Sequence, residues 1–514
     1  MEQLHVIWNR SLATRPRATG SGRGLSFAGV TLLVVTALVA GCGGTASPSS
    51  TAAGPAAATP SAVAAGSATA SSSPFSSGGT GGSTLTGTIT AEFDAGLTFD
   101  SEAQGLAWWA TVKKEFEAKY PNATLNLENT TGNLSAYTTK LALQFRNPSA
   151  TPDVIQINSQ YLGQFGPAGF LQPLNSYVSN GEIPGWDSYP ANVKANDTIN
   201  GQIFGIDEGE NIGAIIYNKK LLAQAGITAP WTPKTWNDIL TAASAVKAHV
   251  PGVSALGISA GTSTAAGGIA QGTGHLIYGT SQPTIYDTSS NKWVVDSTGI
   301  RDTLTFYKTL FGDGLGVPVS ELFAPNAIAA LPTLLSQGKL AIAIGENWYP
   351  GSFVIAGSGS TWPAATTDAG VAPIPTENGQ APGVASTLQA WAVAISKASK
   401  NYQLDLGLIQ IMQSDANIVS IANTAGFVPP VPALAADPTF VNFAPLQGEI
   451  ASYLPHAQAL PSYQTGYSAW VSGMEQATGA LASDPSGTSV SKAVSLLKSV
   501  VETQLGSGST TTLP

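Results

Sequence analysis

Residues 200–226 read NGQIFGIDEGENIGAIIYNKKLLAQAG, two strand-like runs parted by acids and followed by a helical pattern. "GQIFGID" and "IGAIIYN" are rich in β-branched residues and read as adjacent strands. Asp207, Glu208 and Glu210 then fall in a loop between strands, where acids meet either ligand or solvent. A further helix opens at Thr235-Trp236-Asn237-Asp238, with Thr235 as N-cap and Asp238 favouring the helix's positive end.

Outward toward the N-terminus, "TGTITAEF" alternates like a strand, and a loop ("DAGLTFDSEA") leads to a helix carrying Trp109, Val112, Phe116 and Tyr120 at helical spacing. A strand "ATLNLEN", a helix around Tyr137 to Phe145 and the apolar strand "DVIQIN" follow. This βαβαβ order implies an α/β fold whose parallel sheet is covered by helices. Toward the C-terminus, "ALGISA" starts another α/β stretch, "KLAIAIGENW" reads as strand then loop, and "GVAPIPT" and "LQAWAVAIS" as strands. Beyond Asn401 the pattern is almost wholly helical.

The 514 residues suggest more than one lobe. One cysteine and four scattered histidines (His5, His249, His275, His456) offer no metal-ligand spacing, so neither metal nor cofactor is expected. A net charge of −9 without a basic cluster in the body argues against nucleic acid. Arg10, Arg15, Arg17 and Arg23 precede a short apolar run, 27–40, as in a signal peptide. Val39-Ala40-Gly41-Cys42 resembles the bacterial lipobox, in which the chain is cut before the cysteine and its thiol takes a diacylglycerol. Residues 1–41 are therefore read as a lipoprotein signal peptide and 42–86, uncharged and Ser/Ala/Gly/Thr-rich, as a disordered tether.

Gly257-Ile258-Ser259-Ala260-Gly261 has the G-x-S-x-G spacing of a hydrolase elbow, with Asp437 and His456 in triad order. With 56 glycines such a match arises by chance on the order of once, and no oxyanion segment precedes it. The aromatics are more telling. Tyr161 and Trp348 each follow a strand, where open α/β sheets present ligands, and such rings stack on the C–H faces of sugars.

At this point the chain resembles the extracellular solute-binding proteins of ABC importers, in particular the sugar-binding class that includes the maltose-binding protein. The matching strings run in order: "FEAKYPNATLNLENTT", "PDVIQINSQYLGQFGPAGFLQPLNSYV", residues 200–246, "LLSQGKLAIAIGENW" and "LPSYQTGYSAW". The resemblance implies a two-lobed α/β fold of the periplasmic-binding type with a helical C-terminal segment. It divides the chain into a first lobe of 87–213 with 325–370 and a second of 214–324 with 376–505. Hinge crossings would lie near 214–218, 370–375 and 414–421. Carried over position by position, Trp348 and Tyr467 (or Tyr463) would stack on ligand, Asp94, Gln160 and Asn211 would bind hydroxyls, and Tyr161 and Glu208 would line the cleft. No catalysis is implied. The expected partners are a di- or oligosaccharide, the permease subunits of an importer and, through Cys42, the outer face of a bacterial membrane, with the protein a monomer. "SAGTSTAAGG" (259–268) departs from the acid and aromatic that maltose-type proteins offer in the second lobe. A cationic solute such as a polyamine, held by Asp207, Glu208 and Glu210, is the alternative of the same fold, and a surface-anchored serine hydrolase the alternative of another class.

Overall fold

The computed structural model describes residues 84–514 except 264–265 and 325–326, so the signal peptide, Cys42 and nearly all of the tether lie outside the described residues. Within it, β1 (Thr86–Phe93), β2 (Asn122–Asn129) and β3 (Val154–Asn158) run parallel, in the order β2-β1-β3. Helices α1 (Ala95–Thr98), α2 (Glu102–Lys119) and α3 (Leu134–Gln144) connect them. Trp109, Val112 and Phe116 of α2 are fully buried, and Trp109 stacks on Phe93 at the end of β1 with ring centroids 4.4 Å apart. This is the expected βαβαβ unit.

The stretch 200–226 departs from expectation. Instead of two strands and an acidic loop, residues 206–218 form one strand, β4 (Ile206–Asn218), and all thirteen of its residues are buried. Gln202 and Ile203 pair only with Thr198 and Ile199 in a small hairpin. Asp207, Glu208 and Glu210 are therefore core residues rather than a solvated turn. Propensity disfavours acids in a central strand, but strands paired on either side of β4 overrule it.

β4 hands over from one sheet to the other. Its first half, Ile206 to Ile212, pairs antiparallel with β8 (Ser386–Ile395), which is itself antiparallel to β3. Its second half, Gly213 to Asn218, pairs antiparallel with β6 (Leu340–Glu346) and β7 (Ala369–Ala372), and β6 lies parallel to β5 (Ser254–Gly257). The crossing thus falls at Ile212 and Gly213, slightly before the expected 214–218. The expected grouping of 325–370 with the first lobe is corrected by the same pairing, which places β6 beside β5 in the second. β8, expected in the second lobe, belongs to the first sheet. Residues 414–421 are the cap and first turns of a helix, α7 (Asp415–Ala425), which packs with α6 (Tyr402–Met412) on α2.

Two further helices matter here. α4 (Trp236–His249) opens with the foreseen N-cap, in a complete capping box between Thr235 and Asp238. Trp348, expected in a loop, opens α5 (Trp348–Val354). Near the C-terminus, α8 (Tyr467–Ser483) and α9 (Val490–Leu505) pack together over the second lobe.

The handover is clamped by Asn347, which is 3 % exposed. Its Oδ1 accepts from the Ile212 N–H (2.6 Å), while its Nδ2 donates to the carbonyls of Glu210 (3.0 Å) and Gly426 (2.7 Å). Each buried group left without a partner costs about 1–3 kcal/mol. Asn347→Ala is therefore expected to destabilise the protein by about 3 kcal/mol or more. Urea unfolding should show a lowered midpoint at unchanged slope.

Candidate ligand-binding cleft

The floor of the site follows from strand register. Gln389 on β8 lies directly opposite Asn211 on β4, so their side chains share a face. Asn158 ends β3 opposite Trp391 of β8, and the turn beyond it is pinned when Ser159 Oγ accepts from the Ala390 N–H at 3.1 Å. Gln160 follows in that turn. A π-helical turn, Ile269–Thr273, adds Gln271, held to β8 by a 2.8 Å hydrogen bond from Thr387 Oγ1 to the Ala270 carbonyl. Gln160, Asn211, Gln271 and Gln389 are buried, yet Gln160 Nε2 and Oε1, Asn211 Oδ1, Gln271 Oε1 and Gln389 Nε2 have no hydrogen-bond partner. Unpaired donors and acceptors of this kind are what a hydroxyl-rich ligand satisfies.

The walls come from strand ends and α8. Trp348 is half-buried at the start of α5, with its Nε1 donating to Glu346 Oε2 at 3.0 Å. Gly426, at φ 67°, lies so close that a Cβ there would fall 2.6 Å from Trp348 Cα, so glycine is required on both counts. Asp94 follows β1 and caps α1, its Oδ1 accepting from the N–H groups of Gly96 and Leu97 while Oδ2 has no partner. Burial pushes its carboxyl up to about 6 against the pull of those two N–H groups. Burial also raises the Tyr467 hydroxyl well above its usual value, and Tyr278, Tyr161 and Glu475 add to the rise. The turn that carries Tyr161 meets the segment leading into α8, since a Cβ on Gly163 would fall 2.1 Å from Tyr463 Cα.

The structure thus places Gln160, Asn211 and, beyond the clamp, Trp348 around the handover, with Asp94 at the end of β1 and Tyr161 in the turn that meets the segment leading into α8. Tyr463 is 43 % exposed, whereas Tyr467 is buried. Glu208 sits deeper, at a bulge between the Asp207 and Gly209 pairings, and takes a 2.7 Å hydrogen bond from Gln156 Nε2. Gln271, Gln389, Glu346 and Glu475 were not foreseen. Gln389 had a legible signal, a lone amide inside an apolar strand, and Glu475 another, two helical turns beyond Tyr467 on the same face. The hydrolase reading finds no support: Asp437 caps a helix through Thr439 N–H, and no hydrogen bond joins Ser259 to His456 among the described residues.

Glu210 points to the opposite face from Asn211, beneath the floor. There it joins Asp207 and Asp197 in a fully buried row of carboxyls. Asp207 N–H donates to Asp197 Oδ2 (3.0 Å) and Asn196 Nδ2 to Asp207 Oδ2 (3.1 Å). Burial first and the neighbouring acids second hold all three well above the carboxylate range. Among the described residues no group of three or more His, Cys, Asp or Glu could hold a metal ion, and no helix is long and apolar enough to cross a membrane.

A family model described as "Bacterial extracellular solute-binding protein" matches residues 99–417. A putative binding protein of Brucella abortus is 29% identical over 143 residues, 27% of this chain and 32% of the relative, so the match spans about a third of that relative's length. Among solved structures, maltose-bound MalE3 of T. maritima superposes with a TM-score of 0.66 at 18% identity, covering 82% of this chain and 100% of that one. The sugar-binding protein MalE of Xanthomonas citri gives 0.67 at 21% identity, covering 81% and 96%. The GacH receptor of Streptomyces glaucescens GLA.O, solved unliganded and with acarbose, gives 0.65 at 16%, covering 82% and 99%. These likenesses establish the two-lobed fold.

Burial pushes the Glu208 carboxyl up to about 8, against the pull of its one donor, Gln156. A raised carboxyl stabilises the folded state fully below its unfolded value, and that stability is lost as pH climbs through the folded one. The thermal midpoint of the ligand-free protein should therefore fall between pH 5 and pH 8. Glu208→Gln, which keeps an acceptor for Gln156, should flatten that fall by several degrees. A slope identical to wild type in differential scanning calorimetry would count against the assignment.

Proposed function

Since the chain belongs to the bacterial extracellular solute-binding proteins, we propose that it is the sugar-capturing component of an ABC importer, without catalytic activity of its own. The observation that carries this reading is the floor of unpartnered amides, Gln160, Asn211 and Gln389, between aromatic side chains. Amides donate and accept at once, as vicinal hydroxyls do, and the Trp348 and Tyr161 rings suit the apolar faces of a pyranose. Structural neighbours bound to maltose, acarbose, tagatose and cycloalternan support a saccharide, with a di- or oligosaccharide the best match to a cleft walled on both sides.

In this reading the ligand bridges the lobes. Asp94, Gln160, Tyr161 and Asn211 hold it from the first sheet, Trp348 and Tyr467 from beyond the crossing, and closure about Ile212 and Gly213 selects the liganded population. Glu208, which takes a hydrogen bond from Gln156 through Oε2 and keeps Oε1 unpartnered, lines the cleft beside them. The closed monomer then docks on its permease, while Cys42 carries the lipid that keeps the protein on the outer face of the membrane.

Thermal melting against a saccharide panel tests the central claim, since a ligand selective for the native state raises the midpoint by mass action. A shift with one saccharide class, reduced at least tenfold in apparent affinity by Trp348→Ala, is expected. Shifts with polyamines or amino acids alone would overturn it. For the anchor, Cys42→Ser is expected to release the protein from membranes, and unchanged partitioning would refute lipidation.

A further inference from the structure

Asn347 shows how this fold treats a buried polar side chain whose work is structural: its acceptor and both of its donors are engaged. His275 is treated differently. Its imidazole is fully buried and Nδ1 accepts from the Thr387 N–H at 3.0 Å, but Nε2 meets no partner. A backbone N–H can only donate, so Nδ1 is the accepting nitrogen and the ring proton sits on Nε2. Thr387 Oγ1 already gives its one proton to the Ala270 carbonyl. Burial pushes the imidazole down to about 3, which keeps the ring in this neutral form.

Strand register fixes where that free N–H stands. Asn211 and Gln389 face each other on the cleft floor, and two residues further on, Gly213 of β4 and Thr387 of β8 lie on the same face. The His275 ring covers it there: a Cβ on Gly213 would fall 2.4 Å from Cε1 and 2.8 Å from Nε2, so only glycine leaves room for the imidazole. The ring thus continues the floor, about 7 Å beyond Asn211 along the strand. Gln271, whose Oε1 is also buried and unpartnered, precedes His275 by four residues, one helical turn, so both side chains leave the same helix face. The turn that carries Gln271 is π-helical, a rare form met mostly at functional sites, and it packs on β6 of the second sheet.

We propose that His275 Nε2–H and Gln271 Oε1 together read one hydroxyl of the bound saccharide, the imidazole donating to its oxygen and the amide accepting its proton. The inference rests on the saccharide reading above and narrows it to sugars that keep a hydroxyl at that position. A deoxy sugar would leave a buried donor and a buried acceptor unpaired.

Histidine nitrogen NMR of the ligand-free full chain is expected to show the ring signal that His275→Gln removes as a neutral Nε2–H tautomer from pH 5 to pH 8. An Nδ1–H tautomer or a charged ring would overturn the assignment whatever binds. Isothermal titration with maltose, cellobiose and tagatose then tests the contact. For each of these that binds, Gln271→Leu and His275→Phe are expected to weaken affinity at least tenfold. The double variant should be no more than about threefold weaker than the worse single one, because both groups serve one hydroxyl. His275→Gln, which keeps an acceptor for Thr387 and a donor for the hydroxyl, should recover most of the loss, and it carries the test with Gln271→Leu if His275→Phe lacks an intact melting transition. Wild-type affinity in Gln271→Leu, or losses that multiply in the double variant, would overturn the shared hydroxyl while leaving the saccharide function in place. Binding of none of the three sugars, nor of any other saccharide by thermal melting, would sink the saccharide reading and this pair with it.

Discussion

The two lobes depend on one asparagine. Asn347 fixes the backbone of β4 on either side of residue 211, where the strand leaves one sheet for the other, and ties it to the turn at Gly426. An antiparallel pairing could in principle slip there, because neither sheet holds the strand along its whole length. A slip of one residue would exchange Asn211 for Glu210 on the cleft floor. The clamp thus selects which face of β4 reads the ligand, and it places Trp348, the next residue in the chain, at the rim. The floor amides and the aromatic wall are set by the same three hydrogen bonds.

Beneath that floor, no lysine or arginine among the described residues forms an ion pair with Asp197, Asp207 or Glu210. Tyr189 donates its hydroxyl to the Asp207 carbonyl at 2.8 Å and shares Gln413 with it, so the backbone is satisfied even where the carboxyls crowd. Neutral carboxylic acids can hydrogen-bond one another where ionised ones repel, and the enclosure favours that state. The same chemistry accounts for a strand with three acids in four positions remaining in a sheet centre. Burial of Ile206, Ile212, Ile215 and Ile216 on the same strand offsets the cost.

Most of the scaffold was legible from periodicity. β1, β2, β3, α2 and α3 follow the apolar pattern, and the Thr235 capping box is written in four letters. The misreadings share one cause. Polarity in "DEGEN" reads as a loop because local propensity carries no knowledge of flanking strands, and the lobe membership of β6 and β8 is fixed by pairings across more than a hundred residues. Trp348, Gln160 and Asn211 could be placed because each follows or interrupts a recognisable strand. Glu346, Gln389, Gln271 and Glu475 could not be ranked from sequence, since what distinguishes them is an unpartnered buried atom, a property of the folded arrangement alone.

Those unpartnered atoms also bear on the closure that the proposed function requires. Each buried donor or acceptor without a mate costs about 1–3 kcal/mol, and the floor and walls hold several. On the sugar-binding proposal, opening about Ile212 and Gly213 would admit water to the same atoms. Water and ligand compete for one set of hydrogen bonds, but only a ligand that reaches both sheets satisfies them with the lobes together. On the proposed function, differential satisfaction of these atoms, rather than the size of the contact, couples occupancy to the conformation of the hinge.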